Sequence, residues 1–169
     1  MIPAMPPRFL IFASFILLIF FSCSSGKNQN QLKELRVMTY NIHYANPPSQ
    51  TDSIDIAAIV KAIGSQNPDL VALQEVDVNT ARSGEGNQAE MIAEKLGMHA
   101  YFGKALDFTG GEYGTAILSK FPISETITYL LPDLGDPGSE QRVLATAKVE
   151  LPSGGKIVFA STHLDHRGN

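Results

Sequence analysis

Two strand-like segments, separated by one helical segment, constrain the fold of this chain most strongly. Residues 35–41 alternate in character, are rich in strand-favouring side chains and end on Asn41, which is typical of a β-strand. Residues 69–75 form a nearly continuous apolar run that ends on Glu75, as expected for a strand buried on both faces. Between them, apolar residues recur with a helical period at Ile56, Ile59, Val60 and Ile63. The order strand, helix, strand predicts a parallel pair joined by a right-handed crossover.

Both of these strands end on an oxygen-bearing side chain. If the strands are neighbours, the carboxamide of Asn41 and the carboxylate of Glu75 lie side by side at one edge of a sheet. Hard oxygen donors, with positions left open for water and phosphate, are how proteins hold Mg²⁺. The spacing alone leaves simpler interpretations open, because Asn41 could close a turn and Glu75 could be the solvated end of its strand.

The rest of the chain predicts one more helix and several strands. Asp52 or Ser53 is expected to cap the first helix, and Gly64 to end it. Residues 76–86 are predicted to form a polar loop at the same edge as Glu75, and residues 88–96 a second helix. Strands are predicted at residues 99–104, 113–119, 123–131, 142–151 and 156–162, with a hairpin at 152–155 joining the last two.

The N-terminal segment resembles a bacterial lipoprotein signal. Arg8 precedes an apolar run over residues 9–21, which has signal-peptide length. Cys23, the one cysteine of the chain, follows the run and is expected to be lipidated as the mature N-terminus. Residues 1–23 are thus predicted to be the signal and residues 24–34 a polar linker. The protein is expected to lie outside the cytoplasm, on the bacterial cell envelope, tethered to a membrane. An uncleaved membrane anchor is the alternative, although the run is short for a span.

Four segments occur in an order that resembles the endonuclease/exonuclease/phosphatase superfamily, the deoxyribonuclease-I-like phosphoesterases. They are residues 38–42 (MTYNI), 69–75 (DLVALQE), 113–119 (YGTAILS) and 161–166 (STHLDH). The resemblance covers residues 35–169 and implies an α/β fold, part of a four-layer α/β/β/α sandwich with a mixed sheet and flanking helices. Nothing matches the family's later Gly-Asp-x-Asn and Ser-Asp-His motifs. We therefore expect a two-layer N-terminal portion of the domain, without the second sheet and with little activity of its own.

The resemblance assigns roles to four residues, and the chemistry of arginine adds a fifth candidate. It implies Glu75 as the principal Mg²⁺ ligand, with Mn²⁺ as an alternative ion. Asn41 is a second metal contact that also orients a water or a phosphate oxygen. His163 is expected beside the scissile phosphate, where a side chain that titrates near neutral pH suits proton donation. Tyr113 is a catalytic candidate expected to hold this histidine. Arg142, at the start of the strand before the hairpin, is expected to bind phosphate, because a guanidinium pairs with phosphate in a bidentate way. A solvated strand end is the alternative for this residue.

Further polar and aromatic residues near these motifs are weaker candidates. Some could line the cleft or contact substrate, and ordinary loop or strand-edge positions are the alternative for each. They are His43, Tyr44, Asp77, Asn79, His99, Glu112, Asp165 and His166.

The resemblance implies a Mg²⁺-dependent phosphoesterase that hydrolyses a phosphodiester or phosphomonoester by in-line attack of water. The chain has 17 acidic and 13 basic residues and a net charge of −4, so the basic surface typical of nucleic-acid binders is absent. This balance and the predicted membrane tether favour a phospholipid head group, an inositol phosphate or another small phosphoester. A nuclease acting on DNA or RNA outside the cytoplasm is one alternative, and a non-catalytic binding lipoprotein on the same fold is another. No protein partner is predicted.

Overall fold

The computed structural model describes residues 34–48, 53–132 and 138–165. The predicted signal, Cys23 and most of the linker lie outside these ranges, as do Asp52 and His166. The elements in chain order are β1 (Val37–Asn41), a 3₁₀ turn (His43–Ala45), α1 (Ile56–Gln66), β2 (Leu70–Val78), α2 (Gln88–Leu96), β3 (His99–Phe108), β4 (Gly111–Ser119), β5 (Ile123–Leu130), β6 (Val143–Glu150) and β7 (Lys156–Thr162). Within the described ranges, no helix has the length and apolarity that a membrane crossing requires.

Strands β1 to β4 form one mixed sheet with the order β1-β2-β4-β3. Strands β1 and β2 are parallel, which confirms the predicted pair, and the other two pairings are antiparallel. In the β1–β2 register, Asn41 lies opposite Gln74. Because parallel strands end at the same edge of a sheet, this register brings Asn41 next to the residue that follows Gln74, which is Glu75.

Helix α1 buries the predicted apolar stripe against this sheet but begins later than predicted. Its N-cap is Asp55, whose carboxylate accepts a hydrogen bond from the backbone N–H of Ala58 at 2.9 Å. The predicted cap at Ser53 is therefore wrong. An N-cap has to precede the first helical residue directly, and that residue is Ile56.

The end of α1 also differs from the prediction. The helix continues past Gly64 to Gln66 and stops where Asn67 adopts a left-handed conformation with φ of 48°. A glycine inside a helix is tolerated at a small cost, whereas a left-handed residue followed by Pro68 ends one. The second helix has its predicted bounds, and Gly97 ends it with φ of 65°.

Strands β5 to β7 form a second, antiparallel sheet with the order β5-β6-β7. This sheet packs on the first one. A Cβ atom on Gly103 of β3 would lie only 2.6 Å from Cβ of Ala145 in β6, and the hydroxyl of Ser161 in β7 donates to the carbonyl of Leu73 in β2 at 3.0 Å. The two-layer expectation is therefore wrong, because helices, first sheet and second sheet make three layers. Every second residue of β6 is buried, and such a pattern requires a layer that covers one face of the strand.

Strand β2 extends beyond Glu75 into the predicted loop. Val76 and Asp77 are buried and pair with Gly114 and Tyr113 of β4. The prediction that residues 76–86 form only a polar loop is therefore wrong for its first three positions. The polar side chain of Asp77 favours a loop in the sequence pattern. A buried carboxylate can nevertheless occupy a strand when it has hydrogen-bond or charge partners.

Candidate active site

A β-bulge presents Glu75 at the edge of the sheet. The pairing of β2 with β4 shifts register between Gln74 and Val76, so Glu75 has no partner on β4. Its φ is 58°, in the left-handed region that residues with a side chain seldom adopt. A bulge bends its strand and re-aims a side chain, and strained backbone of this kind clusters at functional sites. The backbone is thus a reason, independent of any sequence motif, to regard this carboxylate as functional.

Asn41 and Glu75 lie in direct contact. Nδ2 of Asn41 donates to Oε1 of Glu75 at 2.6 Å, and Oδ1 of Asn41 accepts from the backbone N–H of His43 at 3.0 Å. These two partners fix the orientation of the amide, because a backbone N–H requires an acceptor and a carboxylate requires a donor. The two side chains therefore meet as the strand pattern predicts. In this geometry Asn41 orients Glu75, and its predicted contact with a metal stays a prediction.

His163 reaches the same carboxylate from the second sheet. It follows β7, and its Nε2 lies 4.0 Å from Oε1 of Glu75. The imidazole is 30% exposed and the Glu75 side chain 21% exposed, so both can meet a ligand. Its other ring nitrogen, Nδ1, is buried without a hydrogen-bond partner among the described residues. A buried donor or acceptor of this kind normally has a hydrogen-bond partner. The lack of one among the described residues indicates that a further group can bind at this position.

Tyr113 and Arg142 lie among charged groups near Glu75. Burial raises the pKa of Tyr113 to about 12, and the charges of Glu75 and Glu140 add to this effect, while Arg142 and Arg82 oppose it. The phenol is therefore protonated at neutral pH and can donate a hydrogen bond. Nη1 of Arg142 lies 3.4 Å from Oε2 of Glu140. Nε of Arg142 is buried and has no partner in the described part of the chain.

The expected positioning of His163 by Tyr113 is not seen. Within the residues that the structure describes, no hydrogen bond joins the two side chains, and Tyr113 instead has a ring contact with Phe108, with 6.0 Å between centroids. Together with Glu75, Arg82 and Glu140, these two aromatic residues line a cavity of about 130 Å³. The strained carboxylate of Glu75 thus forms part of the wall of this cavity.

Sequence reasoning missed Arg82, and it treated Asp77 only as a weak candidate at the rim. Nε and Nη2 of Arg82 donate to the two carboxylate oxygens of Asp77 at 2.7 and 2.9 Å. Asp77 is 0% exposed and also accepts from the hydroxyl of Thr80 at 2.7 Å. Burial by itself lowers the pKa of Arg82, but its hydrogen bonds to Asp77 and the charge of Asp77 outweigh this and raise it. Asp77 is thus a buried partner of Arg82 and not a surface contact.

Aromatic rings surround the same guanidinium. Cζ of Arg82 lies 3.9 Å from the ring centroid of Tyr44, 4.3 Å from that of Phe108 and 5.5 Å from that of Tyr113. Contacts of this length over a ring face are cation–π interactions. The local sequence held no signal for Arg82, because the alternation of Val76, Asp77 and Val78 predicts a carboxylate that faces solvent.

The remaining weak candidates have ordinary structural partners. The ring of His43 contacts that of Tyr44, with 4.4 Å between centroids. Asn79 closes the following loop by accepting from the backbone N–H of Gly86 at 2.8 Å. Glu112 pairs with Lys104 at 3.1 Å. His99 begins β3, an edge strand of the first sheet, and Asp165 is exposed.

The donor set fits an open magnesium site. Among the described residues, no three His, Cys, Asp or Glu side chains cluster as a closed metal site requires. Mg²⁺, however, binds through one or two carboxylates and fills its other positions with water and substrate phosphates. Glu75 supplies one partly exposed carboxylate, oriented by Asn41. Glu75 and Asn41 therefore fit a Mg²⁺ site whose remaining positions are filled by water and substrate.

Residues 38–158 match the profile of the Endonuclease/Exonuclease/phosphatase family. The chain belongs to this family. Members of the family are in general hydrolases that act on phosphoesters, and the two-sheet α/β fold agrees with the deoxyribonuclease-I-like architecture. No curated protein matches the chain.

Solved structures give the same assignment. The chain is similar to an endonuclease/exonuclease/phosphatase from Beutenbergia cavernae DSM 12333, with 30% identity and a TM-score of 0.69 over 80% of this chain and 39% of that one. It is similar to truncated TDP2 from Caenorhabditis elegans, with 25% identity and a TM-score of 0.53 over 78% and 46%. The human Nocturnin catalytic domain with bound sulfate, at 20% identity and a TM-score of 0.54 over 79% and 50%, shares the fold. The chain thus spans about half or less of each of these family structures.

Proposed function

We propose that the protein hydrolyses phosphoesters with the help of a divalent cation, Mg²⁺ or alternatively Mn²⁺. The observation that supports this most is the convergence of three side chains at one sheet edge. Asn41 donates to Glu75, and Nε2 of His163 lies 4.0 Å from the same carboxylate oxygen. Glu75 would hold the cation, whose chemistry when bound is to neutralise phosphoryl oxygens and to activate water.

The other site residues would act on the phosphoester itself. His163 is partly exposed and can donate a proton to the leaving-group oxygen as the P–O bond breaks. Arg142 would bind phosphoryl oxygens through its guanidinium. Tyr113, which stays protonated at neutral pH, can donate its hydroxyl to a phosphoryl oxygen. Asn41 would keep the carboxylate of Glu75 in one orientation, as partners of metal ligands generally do.

The test replaces Glu75 by Gln and uses Glu94→Gln, at an exposed position of α2, as the matched control. Because the chain spans 39% of the Beutenbergia cavernae protein, hydrolysis is measured on the complete gene product and Mn²⁺ binding on the chain described here. Electron paramagnetic resonance of free Mn²⁺ should show that E75Q weakens binding about tenfold or more, the loss of one charge-assisted ligand. E75Q should also lower kcat about a hundredfold or more, and E94Q should change neither quantity.

Retention of Mn²⁺ affinity and hydrolysis in E75Q would contradict the proposal. Metal binding by the complete protein, with no hydrolysis of any phosphoester offered, would instead support the non-catalytic binding protein.

We propose a small phosphoester, such as a phospholipid head group or an inositol phosphate, as the substrate. The net charge of −4 and the predicted anchor at Cys23 support this class. An extracytoplasmic nuclease is the second candidate. Hydrolysis of a polynucleotide that falls steeply with rising salt would favour the nuclease, because counterion release governs such binding.

We also propose that Cys23 is acylated and holds the protein on the outer side of a bacterial membrane. The support is the order of basic residue, apolar run and cysteine in residues 8–23. Metabolic labelling with a palmitate analogue should mark the native protein and fail to mark Cys23→Ala. Equal labelling of both proteins would exclude this anchor.

A further inference from the structure

Arg82 has donor groups left over beside the candidate active site. A guanidinium carries five N–H donors, and the pair with Asp77 uses the one on Nε and one of the two on Nη2. Within the described residues, Nη1 has no hydrogen-bond partner. The Arg82 side chain is 31% exposed, and it lines the same cavity of about 130 Å³ as Glu75. The unused donors therefore belong to a side chain that borders the site.

The position of this guanidinium is fixed before any ligand arrives. Asp77 holds it on one edge, and the rings of Tyr44 and Phe108 lie 3.9 and 4.3 Å from Cζ. Gln88 supports this arrangement, since its Oε1 accepts from the backbone N–H of Asp77 at 3.1 Å and its Nε2 donates to the carbonyl of Tyr44 at 2.7 Å. A preorganised donor loses little conformational freedom on binding and so binds more tightly than a mobile one.

We propose that Arg82 binds an anionic oxygen of the substrate phosphate in this cavity, as a second anchoring arginine beside Arg142. The inference rests on the proposed function, because it takes the ligand of this cleft to be a phosphoester. Glu140 also lines the cavity, but it is more than half exposed and lies 3.4 Å from Arg142, so solvent and this partner reduce its repulsion of an anion. Because Asp77 neutralises Arg82 overall, the guanidinium would contribute directional hydrogen bonds more than net charge.

The alternative is that Arg82 is purely structural and only ties the loop after β2 to the strand. Both alternatives predict loss of stability when Arg82 is removed, so stability cannot separate them. Binding of inorganic phosphate to the metal-free chain can separate them. The Nε–H resonance of Arg82 provides a direct readout in ¹H–¹⁵N spectra, since its hydrogen bond to Asp77 should slow exchange of this proton with water.

Titration of the wild-type chain with inorganic phosphate should shift the Arg82 Nε–H resonance in a saturable way. Arg82→Lys, which keeps the charge and loses the planar fork, should bind phosphate about tenfold more weakly. Arg36→Lys is the matched control, because Arg36 lies just before β1, at the end of that strand opposite Asn41, and it should leave phosphate affinity unchanged. A shift of the Arg142 signal without a shift of the Arg82 signal, or wild-type affinity in R82K, would overturn the proposal.

The two proposals fail in different measurements. Mn²⁺ binding in the absence of phosphate tests Glu75, and phosphate binding in the absence of metal tests Arg82. If E75Q keeps Mn²⁺ affinity while Arg82 responds to phosphate, the proposed function fails and the anion site stands. If E75Q loses Mn²⁺ and Arg82 does not respond, the anion site fails and the proposed function stands.

Discussion

Removing Arg82 should destabilise the protein more than removing its partner Asp77. Arg82→Ala leaves the Asp77 carboxylate, which is 0% exposed, with only the hydroxyl of Thr80 as a side-chain partner. An uncompensated charge left in the interior costs about 3–5 kcal/mol of unfolding free energy. The lost stacking on Tyr44 and Phe108 adds about 0.5–1 kcal/mol for each ring.

Asp77→Ala should cost less, although it removes three side-chain hydrogen bonds. Arg82 is 31% exposed and can turn its freed donors to water, so no charge is stranded. Thr80 keeps a hydroxyl partner in Ser83, at 2.6 Å. The expected loss is about 1.5–3 kcal/mol, the range for a hydrogen bond to a charged group. In the double variant the stranded carboxylate is gone, but the stacking of Arg82 on Tyr44 and Phe108 is lost as well. Its loss should therefore exceed that of Asp77→Ala by about 1–2 kcal/mol.

Urea unfolding followed by circular dichroism measures these three losses, with midpoints compared at a common m value. The expected order of losses is R82A largest, then the double variant, then D77A, which is a strongly non-additive cycle. A D77A loss equal to or greater than that of R82A would refute the reasoning, and so would a double variant whose loss is the sum of the two. Either result would mean that the carboxylate is not confined as the structure describes it.

Two further predictions concern the site tyrosine and the packing of the sheets. Burial, aided by the charges of Glu75 and Glu140, raises the pKa of Tyr113 from 10.0 to about 12. The protonated phenol therefore contributes fully to the free energy of unfolding below about pH 10, and this contribution is lost as the pH rises towards 12. Tyr113→Phe should flatten that loss in pH-dependent unfolding. E75Q should lower the Tyr113 pKa in ultraviolet titration, and an unchanged titration would exclude an effect of the Glu75 charge on Tyr113. Gly103→Ala, whose new Cβ would lie 2.6 Å from Ala145, should cost about 1–3 kcal/mol. In Gly64→Ala, within α1, the new Cβ would meet only Leu96 Cδ2 at 3.5 Å, and the variant should gain about 0.5–1 kcal/mol of stability. Equal effects of the two glycine variants in thermal unfolding would contradict the packing of the two sheets.

The meeting of Asn41 and Glu75 could be predicted from sequence, because local patterns define where each strand lies. Alternation and apolar content place β1 and β2, and the intervening helix implies that they are parallel. The last strand, Lys156–Thr162, was predicted with the same bounds for the same reason. Parallel neighbours of this kind end at one edge, so the contact follows from the order of elements.

The bulge at Glu75 and the pair formed by Asp77 and Arg82 could not be predicted in the same way. A bulge depends on the register with β4, which lies more than thirty residues further along the chain. A buried carboxylate looks like a loop residue until its partner is known, and here the partner is Arg82, with Gln88 supporting it. Local propensity contains no information on such contacts, because they arise only when the tertiary structure forms.

Gln88 connects the two halves of the site, and this explains why a polar side chain is buried at the start of α2. Its Oε1 accepts a hydrogen bond from the backbone N–H of Asp77, and its Nε2 donates one to the carbonyl of Tyr44. Asp77 fixes Arg82, while Tyr44 belongs to the turn that begins with the contact between Asn41 and His43. An apolar residue at this position would leave both backbone groups without their partner, at the cost of burying unsatisfied polar atoms. The same amide therefore links the turn after β1 to the strand position of Asp77, the residue that holds the arginine of the proposed anion-binding side.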